Sequence, residues 1–318
     1  RWLTYEEIAA GGDIEPVPAV GFHIPGCFDK VLDINRCHLQ ADISNRIRLA
    51  TKQFCIEHGY SFHNARAHEG LMRTMVVRTA STGEVMVIVV FNENDIERIN
   101  ALMGYLKEQF SEITSLIYMV NDKWNDSLGD REPICFAGKD HIIEEMEGLK
   151  FKVGPKSFYQ TNSEQAYELY KVTREFAALR KEDILYDLYT GTGTIANFCA
   201  RHAAKVVGVE YVPEAIEDAV INSQINGIEN TTFYAGDMKD VLSDDFIKHI
   251  QNAVTLQNAL VSSQRHAARI LHHVIQRTNN IFNVSFTHIL ILQRAYFLIF
   301  LSKSGIISSG RKSERSTP

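Results

Sequence analysis

Apolar positions fall along the chain in two rhythms. Short runs read as strands, and longer stretches with apolar residues three or four apart read as helices. Residues 72–79 and 84–92 are β-rich runs separated by Ala80-Ser81-Thr82-Gly83, which predicts a hairpin. Residues 95–110 place Ile96, Ile99, Leu102, Met103 and Leu106 at helical spacing, and residues 115–120 return as a strand. Runs at 134–136, 141–146 and 149–153 are expected to extend the same sheet. Upstream, residues 21–34 predict a strand pair and residues 39–58 a helix through Ile43, Ile47, Ala50 and Phe54. A short helix at residues 5–10 and a loop at Gly11-Gly12-Asp13 come before them.

Beyond residue 153 the order changes. The joint at residues 154–162 (GPKSFYQTN) leads into a helix over 163–179, capped by Asn162 with Gln165 three residues on. This helix is expected to bury Ala166, Leu169, Tyr170, Thr173 and Phe176. An apolar run at 184–188 predicts a buried parallel strand, and a helix follows from Thr194. A strand at 205–209, a helix from Pro213 to the stop at Asn226-Gly227, and a strand at 232–234 complete the series. Strand, helix, strand, helix, strand is the first half of a doubly wound sheet, whose ligands bind at the carboxyl ends of the strands. The expected fold class is therefore α/β, an incomplete Rossmann-like domain over residues 154–246, preceded by a smaller α+β module over residues 1–153 and followed by a tail over residues 247–318.

The candidate chemistry lies in the first strand-to-helix turn, Tyr189-Thr190-Gly191-Thr192-Gly193-Thr194. Its two glycines let the backbone turn tightly against a ligand, and the helix behind points unpaired N–H groups at it. The spacing Gly191-x-Gly193-x-x-Ala196, with Glu210 at the end of the next strand, satisfies a loose dinucleotide fingerprint and admits NAD. Asp187, four residues before Gly191, favours S-adenosylmethionine instead, because a sulfonium cation meets an acid there whereas a pyrophosphate is repelled. Tyr189, Thr194, Glu210 and Asp237 are expected to converge on this site from three successive strands.

Composition fits a two-domain globular protein of 318 residues, 45% hydrophobic and 23% charged. The net charge of -6 is unevenly spread: residues 1–246 hold 24 basic and 38 acidic side chains, whereas beyond Phe246 nine basic residues face the single acid Glu314. On so acidic a body, a nucleic-acid surface has to be local or supplied by another module. Five cysteines, Cys27, Cys37, Cys55, Cys135 and Cys199, form no disulfide framework, which points to a reducing cytoplasm. No signal peptide opens the chain, and a first residue other than Met makes Arg1 an expected internal position of a longer protein.

Three long stretches, FKVGPKSFYQTNSEQAYELY, YDLYTGTGTIANFCA and VVGVEYVPEAIEDAVINSQINGIENTTFYAGD, resemble the S-adenosylmethionine-dependent RNA uracil-5-methyltransferases, and within them the 23S rRNA enzymes. GFHIPGCFDKVLDINRC, RTASTGEVMVIVVFN and VNDKWNDSLGDREPICFAGKDHIIEEMEG extend the likeness over most of residues 1–246. The resemblance implies a monomer that binds RNA and no membrane, with rRNA preferred to tRNA. It makes Gln160 a cofactor contact and sets Phe158 and Tyr159 along the cofactor or a flipped base. It gives Glu210 the ribose hydroxyls, Asp237 the adenine end, and Tyr189 and Thr194 the methionine moiety. Arg73 and Arg78 become phosphate contacts under it, against the plain alternative of a solvated sheet face. Cys37 stands where some members hold the last ligand of a 4Fe-4S cluster, although three companion cysteines are absent upstream.

In that family a cysteine thiolate adds to C6 of uracil so that C5 can attack a methyl group, and a base then removes the C5 proton. The motifs that carry these groups do not occur here: no cysteine follows Cys199, and the only proline after Pro213 is Pro318. No catalytic residue is therefore assigned. Residues 247–318 admit three readings, namely a shifted reading frame, a membrane anchor at 281–301 interrupted by Asn283, His288, Gln293 and Arg294, or a native helical end including a helix at 253–276. Offered labelled S-adenosylmethionine and NADH in parallel, the chain is expected to retain S-adenosylmethionine alone. Retention of NADH instead would show that Asp187 does not set the cofactor class.

Overall fold

The longest apolar run among the described residues, Val85–Phe91, is buried along its whole length, and this sets the architecture of the first module. In the computed structural model, which describes residues 17–241, this strand lies inside a four-stranded sheet of order β3-β4-β5-β6. These strands are β3 (Met72–Thr79), β4 (Val85–Phe91), β5 (Ile113–Val120) and β6 (Ile134–Gly138), and only β4 and β5 run parallel. A strand's side chains alternate between faces, so a continuous apolar run means cover on both sides. Val85, Val87, Val89 and Phe91 pack with helices α1 (Asp42–Glu57) and α2 (Ile96–Gln109) through Ile47, Phe54, Ile99, Leu102 and Leu106. Met86, Ile88 and Val90 face the other way, onto Ile142 and Val153. A hairpin of β1 (Gly21–Ile24) and β2 (Cys27–Asp33) is tied to α1 by Arg48, which donates to the carbonyls of Val20, Ile34 and Asn35, and by the Lys52–Asp33 ion pair.

The strands expected to extend this sheet do so only in part. β6 joins it, but β7 (Ile142–Met146) and β8 (Leu149–Val153) form a separate antiparallel pair laid over the other face. The reason is the two-sided burial of β4, which needs a second apolar layer. Ile142 and Val153 supply that layer at one end of the hairpin, and at the other end Met146, Leu149 and Phe151 pack on Ala166, Tyr170, Phe198 and Cys199. The hairpin thus serves two cores.

The second part holds α3 (Ser163–Ala177), β9 (Ile184–Leu188), α4 (Thr194–Ala200), β10 (Lys205–Glu210), α5 (Pro213–Ile225), β11 (Thr231–Ala235) and the short α6 (Met238–Val241). Its three strands are parallel in the order β11-β10-β9. The strand at 184–188 is half-buried, and among the described residues it lies at the edge of this sheet. Helix α3 departs from expectation. Ala166 and Tyr170 are buried, but Leu169, Thr173 and Phe176 are exposed. The stripe actually used runs Ala166, Tyr170, Arg174, with the Arg174 guanidinium 4.3 Å from the centre of the Phe198 ring and paired to Glu147. The helix at 5–10 and the three readings of 247–318 lie outside the described residues. No helix among those described is long and apolar enough to cross a membrane.

Among the described residues the outer edge of β8 meets no strand. Its polar groups are satisfied by side chains at the end of α5: Asn226 accepts from Lys150 N at 2.8 Å and donates to Lys150 O at 2.7 Å, and Asn222 accepts from Lys152 N at 2.7 Å. Asn222 is fully buried and donates its remaining bond to Thr192 O, in the glycine turn, at 3.0 Å. Replacing Asn222 with Ala leaves the half-buried Lys152 N–H and the buried Thr192 carbonyl without this partner, each a desolvation penalty. The expected loss is about 2–4 kcal/mol of stability in urea unfolding, against less than about 0.5 kcal/mol for Glu217→Gln on the exposed side of the same helix.

Candidate cofactor site

Register fixes where the strands end. Leu188 pairs with Val209 and Val209 with Tyr234, so β9, β10 and β11 finish in one row, and Tyr189, Glu210 and Asp237 follow at the same edge of the sheet. The chain leaves β9 abruptly. Tyr189 takes a left-handed φ of 65°, and both its N–H and that of Thr190 donate to Val209 O, at 2.8 and 3.1 Å. A positive φ at a non-glycine residue is uncommon and costs energy. Tyr189 is held there with its ring half exposed.

Gly191 and Gly193 also have positive φ, 54° and 73°, but for different reasons. A Cβ on Gly193 would lie 2.9 Å from Ala219 Cβ and 3.1 Å from both Asn197 Nδ2 and Phe233 Cζ, so this glycine is where α4, α5 and β11 close together. A Cβ on Gly191 would meet nothing within 4 Å, which leaves open space above the turn. Gly208, in the middle of β10, is a third constraint that motif reasoning missed. A Cβ there would lie 2.4 Å from the Phe233 ring.

Asp187 reaches under this turn. Its Oδ2 accepts from Thr190 Oγ1 at 2.7 Å and from Ala196 N at 3.0 Å. Gly193, the cap residue of α4, has no side chain to offer, so Asp187 satisfies one of the helix's orphan N–H groups from the preceding strand. Burial pushes the Asp187 carboxyl above the ordinary carboxylate range, the two hydrogen bonds oppose this, and the Glu210 charge adds to it. Glu210 bridges two loops, with Oε2 accepting from Gly191 N at 3.2 Å and Oε1 from Val212 N at 3.1 Å. Thr194 is buried at the start of α4, its hydroxyl 3.3 Å from that of Thr192.

Hydrogen bonds therefore tie Asp187 to Thr190 and Ala196, and Glu210 to Gly191 and Val212, around one turn, and Asp237 stands at the same sheet edge. Gln160 sits half-buried in the joint between β8 and α3, with no hydrogen-bond partner among the described residues. Its neighbours divide: Phe158 is 70% exposed, whereas Tyr159 packs into both cores beside the β7–β8 hairpin, its hydroxyl buried without a partner. Asn222 was not singled out from sequence, although Asp218, Asn222 and Asn226 form a visible polar stripe at four-residue spacing.

Two expected phosphate contacts do not fit. Arg73 is occupied by the carbonyls of Asn121, Lys123 and Asn125 and by Asp126, and its side chain is 3% exposed. Arg78 donates to the carbonyls of Gly154 and Ser157, and burial lowers its pKa. Both are structural arginines, not phosphate contacts. Among the described residues no group of three or more His, Cys, Asp or Glu is placed to hold a metal ion, so Cys37 lacks the companions an iron–sulfur cluster needs there.

The fold is that of the S-adenosylmethionine-dependent methyltransferases, α/β with a β-rich module in front. Residues 179–291 match a methyltransferase domain family. Within that class the similar proteins are RNA methyltransferases. The chain is 57% identical over 250 residues to an uncharacterized RNA methyltransferase of Bacteroides thetaiotaomicron, covering 78% of this chain and 55% of the relative. A counterpart from Porphyromonas gingivalis is 57% identical over 253 residues, covering 78% and 54%. The chain thus spans about half the length of the curated relatives it matches. Among solved structures it is similar to the tRNA (uracil-54, C5)-methyltransferase of Pyrococcus abyssi in complex with S-adenosyl-L-homocysteine, at 27% identity and a TM-score of 0.58, covering 71% of this chain and 59% of that one.

Glu210→Gln keeps one acceptor oxygen but removes the charge. If the carboxylate holds a ribose hydroxyl, the loss is about 1.5–3 kcal/mol, or about tenfold or more in S-adenosylmethionine affinity by calorimetry, with unchanged secondary structure by circular dichroism. Equal affinity in the folded variant would place the ribose elsewhere.

Proposed function

We propose that this chain is the cofactor-binding part of an RNA methyltransferase that acts at C5 of a uridine, with 23S rRNA as its substrate. The observation that carries this reading is the acidic sheet edge, where Asp187 and Glu210 flank the Gly191–Gly193 turn. Three carboxylates, with Asp237, suit a sulfonium cation and ribose hydroxyls and oppose a pyrophosphate. The open space over Gly191 gives a ligand room to approach the backbone. S-adenosylmethionine supplies an electrophilic methyl group when bound in such a site. In this proposal Glu210 accepts from the ribose, Asp237 meets the adenine end, Tyr189, Thr194 and Gln160 border the methionine moiety, and Asp187 holds the turn in shape from beneath. Similarity to a uracil C5 enzyme of known structure supports the choice of base and atom. The proposed setting is a monomer in the cytoplasm.

We further propose that these 318 residues do not complete the reaction. Addition to C6 needs a thiolate, and burial pushes Cys199 up to about 11 and Cys55 up to about 12. Cys27, Cys37 and Cys135 lie in the first module, in or near β1–β2 and in β6. The test is to incubate the chain with methyl-labelled S-adenosylmethionine and unmodified 23S rRNA or tRNA, and to analyse the nucleosides. The expected result is retained cofactor without 5-methyluridine above a no-enzyme control. Appearance of 5-methyluridine would overturn the inactivity, and label on another nucleoside would overturn the C5 assignment.

A further inference from the structure

The loop after β5 presents Trp124 with 75% of its surface exposed. A single exposed apolar residue is ordinary, but this one is built in. Its indole stacks on the His68 ring, centroids 4.3 Å apart and planes 17° from parallel, and the His63 ring meets His68 edge-on at 5.4 Å. His68 is held in a left-handed conformation, φ 57°, while its Nε2 donates to Asp122 O at 3.0 Å. Below, the buried Arg73 gathers the loop: Nη1 donates to Asn121 O and Lys123 O, each at 2.6 Å, and Nη2 to Asn125 O at 3.0 Å. Asn121 Nδ2 also donates to Asn125 O, and Lys156 Nζ to Gly129 O at 2.9 Å. That last bond ties the loop to the joint that carries the exposed Phe158. A rigid loop thus holds an aromatic face toward solvent.

Charge selects what it accepts. Asp122 pairs with Arg131, Asp126 with Arg73 of β3 and Asp130 with Lys123, so both of the loop's own bases are paired while Glu132 adds a further acid, which leaves little to attract a phosphate backbone. A flat, neutral π face suits a planar ring, and unstacked nucleobases are read by such faces, whereas a duplex hides its own. We propose that Trp124, backed by His68, is a stacking platform for an unpaired base of the RNA substrate. The proposal rests on the RNA reading above and adds the contact and the single-stranded character of the segment bound.

The chain has two tryptophans, so in a Trp2→Phe background Trp124 reports alone. Titration of the full chain with a mixed-sequence single-stranded RNA oligonucleotide is expected to quench its fluorescence, and the same oligonucleotide in a duplex to quench it far less. Trp124→Ala should weaken single-strand binding by roughly five- to a hundredfold, Trp124→Phe should keep most of it, and all variants should bind S-adenosylmethionine equally. Unchanged RNA affinity in Trp124→Ala, or equal quenching by the duplex, overturns the platform while leaving the RNA reading intact. A parent chain that binds no RNA at all overturns both.

Discussion

The backbone of β8 has to satisfy its outward N–H and C=O groups without a neighbouring strand, and the way it does so holds the cofactor turn in place. Asn222 gives one side-chain oxygen to Lys152 N and one N–H to Thr192 O, so a single amide links the hairpin of the first module to the loop between Gly191 and Gly193. The same region carries a second link: Arg78 on β3 binds the carbonyls of Gly154 and Ser157, and Ser157 Oγ donates to Asp218 on α5. Buried polar groups left unpaired are costly, which makes these amides and carboxylates a strong constraint on geometry. Apolar packing brings the parts together, and the polar ladder sets their exact register.

Negative charge at the site follows from the same economy of elements. The first turn of α4 begins at a glycine and needs an acceptor from elsewhere, which Asp187 provides from the end of β9. Glu210 in turn accepts from Gly191 N and Val212 N. Each acid therefore shapes the turn. Under the proposed function a residue type suited to the ligand and one suited to local structure coincide here, which makes the motif compact in the sequence.

Much of this is legible in the sequence. The hairpin turn at residues 80–83, the helix at 96–109 and the alternation after residue 184 each follow from local rules, and the β-strand ends carry the acids where the alternation puts them. What was not legible depended on partners far away in sequence. The run at 142–153 looks like any pair of strands, and only the need to cover Met86, Ile88 and Val90 sends it across the sheet. Helix α3 offers two stripes, and the choice of Ala166–Tyr170–Arg174 over Leu169–Thr173–Phe176 was made by the Phe198 ring. Arg73 and Arg78 read as surface cations because nothing local reveals the carbonyls that wait for them.

The hairpin β7–β8 has one further consequence. Its sequence lies before the joint at residue 154, yet Phe151 is buried among Tyr170, Phe198 and Cys199, and Lys150 and Lys152 are bonded to α5. Topology changes at the joint, but packing does not. A methyltransferase domain cut out at that point would lose part of its own interior, whether the cut is made by a protease or by recombination with another gene. The unit able to move between proteins is therefore the domain together with its hairpin, and an exchange of the upstream module has to splice before Ile142.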